Sequence, residues 1–195
     1  MTVYLLHGFN VPDGGKNTVA RLEPFIPGTE VLHAYGWVGL IRLRCVNART
    51  VTELEREVQP GDVVIGHSNG CLIAWELSRR VHLGAVVCIN PALRRDTLWP
   101  ADTPVLCLHN STDWVVQLGR WWGRLTSLGG LHPHGWGAAG RYGFTEEQEN
   151  VTNLDTAGKH WPYPVQGHSG IFKDPDALAF WGRTVSDWLA QKNAR

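Results

Sequence analysis

Ser68 lies in Gly66-His67-Ser68-Asn69-Gly70, a G-x-S-x-G pattern, and its hydroxyl is the group in the chain best placed by its motif to do covalent chemistry. A serine hydroxyl is a weak nucleophile at neutral pH. It attacks an acyl carbon only when a base within hydrogen-bond reach takes its proton and a third group orients that base. The pattern therefore asks for a histidine and a carboxylate elsewhere in the chain. Asp113, in HNSTDWVV, and His168, in QGHSG, are the candidates, and both follow Ser68 in the chain.

The elements around these residues explain how they could meet. Val63, Val64 and Ile65 form an apolar, β-branched run that reads as a buried strand, and CLIAWEL after the serine reads as a helix packed on it. Ser68 thus falls on a strand-to-helix turn, where Gly66 and Gly70 leave room for the chain to fold back tightly and the amides opening the helix point at one spot. The plain alternative is a tight turn that merely carries a polar serine. Asp113 comes five residues after a strand ending at Leu108, and His168 lies between the last strand and the last helix. In a parallel sheet these positions share one edge. Asp113 also has a bland reading, as a cap for a helix beginning at Trp114, and Asp96, after the preceding strand, is the rival acid. His132 and His134 could suggest a metal, but no carboxylate or cysteine cluster accompanies them. No metal and no cofactor are expected.

The composition narrows the setting. At 195 residues the chain suits a single domain, 1–195, and its 18 basic and 18 acidic side chains cancel. That balance gives no reason to expect a nucleic acid or an anionic membrane as partner. MTVYLLHG has no basic start, and its apolar run is too short for a signal sequence or a membrane span, so a cytoplasmic protein is expected. Cys45, Cys71, Cys88 and Cys107 have no C-x-x-C spacing and read as reduced core thiols. Asn110 and Asn150 each open an N-x-T match that would matter only in a glycosylating compartment. The segment DGGKNT is not a phosphate loop, because Asn10 stands where the first glycine belongs and Asn17 follows the lysine.

Along the chain, Val3 to Leu6, Glu30 to Ala34, Ala85 to Asn90, Val105 to Leu108 and Val151 to Leu154 read as further strands, making about six with the one before Ser68. A short helix ends near Pro24. Thr50 and Glu53 fit a capping box ahead of an apolar stripe, Val51, Leu54 and Val58, whereas Gly36 to Asn47 carries both strand and helix periodicity. The last helix has Asp174 as its cap, Pro175 in its first turn, and Leu178, Trp181, Val185, Trp188 and Leu189 on one face. Alternating strands and helices imply an α/β fold, a mostly parallel sheet with helices on both faces.

These pieces together resemble a small α/β-hydrolase, similar to the minimal, cap-poor lipases and esterases of that superfamily. The resemblance covers nearly the whole chain and rests on His7-Gly8-Phe9 after the first strand, the elbow Gly66 to Gly70, Asp113 after PVLCLHN, and His168 before the terminal helix. The order Ser, Asp, His is the superfamily's. It implies that Ser68 attacks, His168 moves the proton and Asp113 holds the imidazole. The oxyanion donors it implies are the amides of Asn69 and Phe9, with Asn10 as the fallback for the second. The chain starts directly at the His-Gly strand, without the two edge strands that usually precede it.

A serine esterase acting on a small-molecule ester is therefore expected, with thioesterase, amidase and perhydrolase chemistry open on the same residues. A binding or interaction module on the same fold is the alternative of a different class. Ten tryptophans are many for this length, and Trp114, Trp121, Trp122, Trp136 and Trp161 fall between the acid and the base. The first four are the candidate substrate-binding residues, with core packing as the alternative reading. The segment Gln117 to Glu149, rich in glycine and aromatics, suits an open apolar rim better than a closed lid.

Overall fold

The four central runs, VYLL, VVIGH, AVVCI and VLCLH, become buried strands because their largely aliphatic composition leaves no face for water, whereas the edge run VTNLD is only half-buried. The computed structural model describes residues 1–9, 11, 13–27, 29–32, 43–118, 136–145 and 148–193. Its strands are β1 (Val3–Leu6), β2 (Thr29–Leu32), β3 (Val63–His67), β4 (Ala85–Ile89), β5 (Val105–His109) and β6 (Val151–Asp155). All five neighbouring pairs are parallel, and the strand order is β2-β1-β3-β4-β5-β6. β2 starts one residue earlier than its sequence suggests, and positions 33–34 lie outside the described residues.

Alternate strand residues feed two separate apolar layers. On one face Tyr4, Leu6, Val64, Val86, Cys88, Val105 and Cys107 pack under helices α1 (Leu43–Glu57) and α2 (Asn69–Ser78). On the other, Val3, Leu5, Ile65, Val87, Ile89, Leu106 and Leu108 meet a 3-10 helix (Val19–Phe25) and the terminal helix α3 (Pro175–Asn193). The terminal helix is capped as its sequence suggests, for the Asp174 carboxylate accepts from the amides of Asp176 at 2.8 Å and Ala177 at 3.0 Å.

Helix α1 corrects one reading. It begins at Leu43, so Thr50 lies inside it, 3% exposed, and is no N-cap. Val46 packs on the same core as Val51, Leu54 and Val58, which extends the apolar stripe a turn and a half upstream of the capping signal. Tertiary burial outweighs the local cap. Of the ambiguous stretch Gly36 to Asn47, residues 43–47 are thus helical, and the rest lies outside the described residues. Residues 115–118, just after Asp113, are also helical.

Cys71, Cys88 and Cys107 are free and buried, and burial pushes the thiols of Cys88 and Cys107 well up. Asn110 is fully buried, so its N-x-T match is closed to glycosylation in the folded chain. Among the described residues no helix is long and apolar enough to cross a membrane.

His67 ends β3 inside the protein. Its Nε2–H donates to the carbonyl of His168 at 3.1 Å, and the ring stands edge-on to Phe172 with centroids 5.1 Å apart. Burial, helped by the neighbouring His168 and opposed by that hydrogen bond, lowers its pKa to about 3. The unfolded chain therefore holds a proton on this imidazole between about pH 3 and 6.5 that the folded chain does not. Its contribution to stability is present above the unfolded pKa and is lost as pH falls through that window, at about 1.4 kcal/mol per pH unit. Urea unfolding of the parent and of His67→Gln between pH 4 and 6 measures this directly. The parent's stability should climb more steeply with pH, and equal slopes would mean that His67 is not held neutral by the fold.

Candidate active site

The strand order places a switch point between β1 and β3, since the chain leaves β1 toward one edge of the sheet and β3 toward the other. Ser68 and the His7-Gly8-Phe9 segment face each other across it. A Cβ on Gly8 would stand only 3.0 Å from that of Ser68.

Ser68 has φ 54° and ψ −115°, a backbone conformation that costs a residue with a side chain on the order of 1–3 kcal/mol. The neighbours that hold it there are identifiable. Its amide donates to the carbonyl of Ile89 at 3.0 Å, and its carbonyl accepts from Cys71 at 3.2 Å and Ala92 at 3.1 Å. The helix can start so close to the sheet only because both motif glycines lack side chains. A Cβ on Gly70 would meet the carbonyl oxygen of Leu6 at 2.3 Å, and one on Gly66 would meet the backbone of Gly70 and Cys71 at 2.7 Å.

Asp113 follows β5 and is fully buried. Its Oδ2 accepts from His168 Nδ1 at 2.7 Å and from Asn90 Nδ2 at 3.1 Å, while Oδ1 accepts from the amides of Val115 at 3.0 Å and Val116 at 3.3 Å. The amides that open residues 115–118 and the imidazole of His168 thus use separate oxygens of Asp113. Asp96, the rival, is exposed and pairs with Arg94, whose Nε lies 2.8 Å from its carboxylate; that bond holds the Asp96 carboxyl below its usual range.

The loop carrying His168 is tied to the acid's loop at several points. Asn110 Nδ2 donates to the carbonyl of Val165 at 3.0 Å, and the Gly167 amide donates to Thr112 Oγ1 at 2.8 Å. Thr112 Oγ1 in turn donates to Asn110 Oδ1 at 2.6 Å. From the other side His67 holds the His168 carbonyl, with the two rings 5.0 Å apart. His168 is left with 15% of its side chain exposed.

The remaining candidates separate. Asn69 opens α2 directly after Ser68 and is fully buried, and Phe9 is half-buried beside Gly8. Trp136 meets both: its Nε1–H donates to Asn69 Oδ1 at 3.1 Å, and its ring stands edge-on to Phe9 with centroids 6.1 Å apart. Trp114, beside the acid, is 61% exposed. Trp161 packs on Trp181, with centroids 5.2 Å apart, and belongs to the core layer rather than to the mouth. Trp121, Trp122, Asn10, His132 and His134 lie outside the described residues.

Three residues of the site escape a reading by motif. Asn90 ends β4 with φ 46° and turns its amide onto Asp113; a polar residue before Pro91 at the end of an apolar strand was its only signal. Asn47 exchanges amide hydrogen bonds with Asn69 from within the stretch whose periodicity was ambiguous. His67 was visible only as a variable position of the serine motif.

Neither a family model nor a curated protein sequence matches the chain. Solved structures do. A protein from Xanthomonas campestris described as a hydrolase of the α/β superfamily aligns with TM-score 0.55 and 17% identity over 98% of this chain and 99% of that one. The mouse alpha/beta hydrolase domain-containing protein 10 aligns with TM-score 0.60 and 11% identity, over 97% and 90%. A monoacylglycerol lipase from Paleococcus ferrophilus aligns with TM-score 0.50 and 15% identity, over 97% and 94%. With its parallel six-stranded sheet and its serine elbow at the switch point, the chain has the α/β-hydrolase fold in a minimal form.

Proposed function

We propose that this chain is a serine hydrolase that cleaves carboxylic esters through an acyl-enzyme, with Ser68 as nucleophile, His168 as base and Asp113 as the acid that orients it. The observation that carries the reading is the 2.7 Å contact of His168 Nδ1 with the fully buried carboxylate of Asp113, at the sheet edge where Ser68 occupies a strained turn. A buried carboxylate that accepts from Nδ1–H leaves Nε2 as the basic nitrogen.

The steps follow from that tautomer. Ser68 Oγ bonds to the acyl carbon as its proton passes to His168 Nε2, and the carbonyl oxygen takes up the electron pair. The amides of Asn69 and Phe9 hold the resulting oxyanion. Collapse breaks the bond to the alcohol, which leaves with the proton from His168. Water then repeats the sequence on the acyl-enzyme and releases the carboxylic acid. A thioester or amide would follow the same course, and the ester reading is favoured by kinship of fold with a monoacylglycerol lipase. The exposure of Trp114, next to Asp113 in the chain, and the contact of Trp136 with Phe9 support an apolar mouth suited to short-to-medium acyl chains.

A fluorophosphonate should label Ser68 stoichiometrically in the parent and not at all in Ser68→Ala; an unlabelled parent would favour a binding module that has kept the fold without the chemistry.

Asp113→Asn tests the acid. The side chain would still cap residues 115–118 through Oδ1, but an amide nitrogen would face the donors of Asn90 and His168, so the imidazole would turn to the wrong tautomer. Turnover should fall by about 10⁴-fold with the fold kept, whereas Asp96→Asn should cost little. Reversed results would move the acid to Asp96.

Each methylene buried against an apolar rim contributes about 0.8 kcal/mol, so kcat/KM should rise over the first few acyl carbons and then flatten. A steady rise to long chains, or a jump in rate above the micelle threshold, would contradict an open rim.

A further inference from the structure

Asn69 is the residue whose amide sits next to the nucleophile, and its side chain is held by three hydrogen bonds. Its Oδ1 accepts from Trp136 Nε1 and from Asn47 Nδ2, each at 3.1 Å, which uses both lone pairs of that oxygen. Its Nδ2 donates back to Asn47 Oδ1 at 3.0 Å. Asn69 is fully buried and Asn47 is 6% exposed. Because an indole N–H only donates, Trp136 decides which end of the Asn69 amide is oxygen, and the reciprocal pair with Asn47 then follows. The same indole contacts the ring of Phe9, the other residue whose amide faces the reacting oxygen in the reading above. Four positions far apart in the chain, 9, 47, 69 and 136, are thus joined in one run of contacts through Trp136 and Asn69.

We infer that Trp136 is a positioning residue for the oxyanion site, its N–H and ring edge bracing Asn69 and Phe9 in concert with Asn47, and not simply a wall against which the acyl chain lies. This rests on the acyl-transfer reading of Ser68. The physical reason is that an oxyanion donor works only when it is already aimed at the place where charge develops. Asn69 is the first residue of α2, so fixing its side chain from both sides fixes the turn that presents its amide. A ring held between the two donor residues ties their separation to one rigid group.

The two roles differ in how the loss depends on the substrate. Trp136→Phe keeps an apolar ring and removes the N–H. A brace gives the same loss, about tenfold in kcat/KM, for p-nitrophenyl acetate and for longer acyl esters, whereas a wall spares the acetate and loses only with added carbons. Asn47→Leu provides the second variant, since it acts on the same oxygen from the side opposite the indole. It should give a similar loss, and the double variant should lose little more than the larger single one. A trifluoromethyl ketone, which forms an oxyanion on Ser68, should lose affinity in both variants by the factor seen in kcat/KM. Rates per fluorophosphonate-titrated site keep unfolded protein out of the comparison. A chain-length-dependent loss in Trp136→Phe, or full activity in Asn47→Leu with an unchanged ketone affinity, would overturn the inference. Failure of the parent to label would sink the hydrolase reading itself, which is a separate result.

Discussion

The close approach of the first turn of α2 to the end of β1 is the constraint on which the site depends. No side chain fits between Gly70 and the carbonyl of Leu6, and almost none between Gly8 and Ser68. That closeness lets the helix begin immediately after the strand, and a helix that begins there forces Ser68 into φ 54°. The strain is affordable only because the flanking backbone is over-determined, with the Ser68 amide and carbonyl bonded to three different elements. The same approach brings the chain after β1 to Ser68, so segments from distant parts of the sequence meet at one turn.

Asp113 and His168 are held by a different kind of force. Around Asp113 the order comes from polar side chains that bond across loops, with Asn90, Asn110, Thr112 and His67 each joining segments more than twenty residues apart or bridging to one that does. Buried polar groups cost several kcal/mol when unpaired, so a network of this kind tolerates few alternative arrangements. The carboxylate is the extreme case, since a fully buried charge needs every partner it has. Four donors reach Asp113: the side-chain amide of Asn90, the backbone amides of Val115 and Val116, and the imidazole of His168.

Much of this was legible in the residues themselves. The strands could be read because burial on both faces demands continuous aliphatic runs, and the elbow because its geometry demands glycine on each side of the serine. Asp113 and His168 could be placed because a parallel sheet brings its carboxyl ends to one edge. What stayed hidden were the side chains whose role depends on three-dimensional neighbours. Asn47 and Asn69 are twenty-two residues apart, and nothing in either local pattern says that their amides pair. Helix α1 shows the same limit from the other direction: the capping signal at Thr50 was locally sound, and packing of Val46 on the core overrode it.

The two sources of order also divide the work between stability and chemistry. The apolar layers are segregated by strand parity, so Leu6 and Val64 serve one face while Leu5 and Ile65 serve the other. They fix the sheet and hence the positions where its strands end. Those ends then carry His67, Asn90 and Asn110, polar residues that would weaken the middle of a buried strand but find partners at its edge in the His168 carbonyl, Asp113 and the Val165 carbonyl. A substitution within the layers should therefore act on the site mainly through loss of the folded state. One at the strand ends leaves the layers intact and changes only where a loop, and the polar side chain on it, comes to rest.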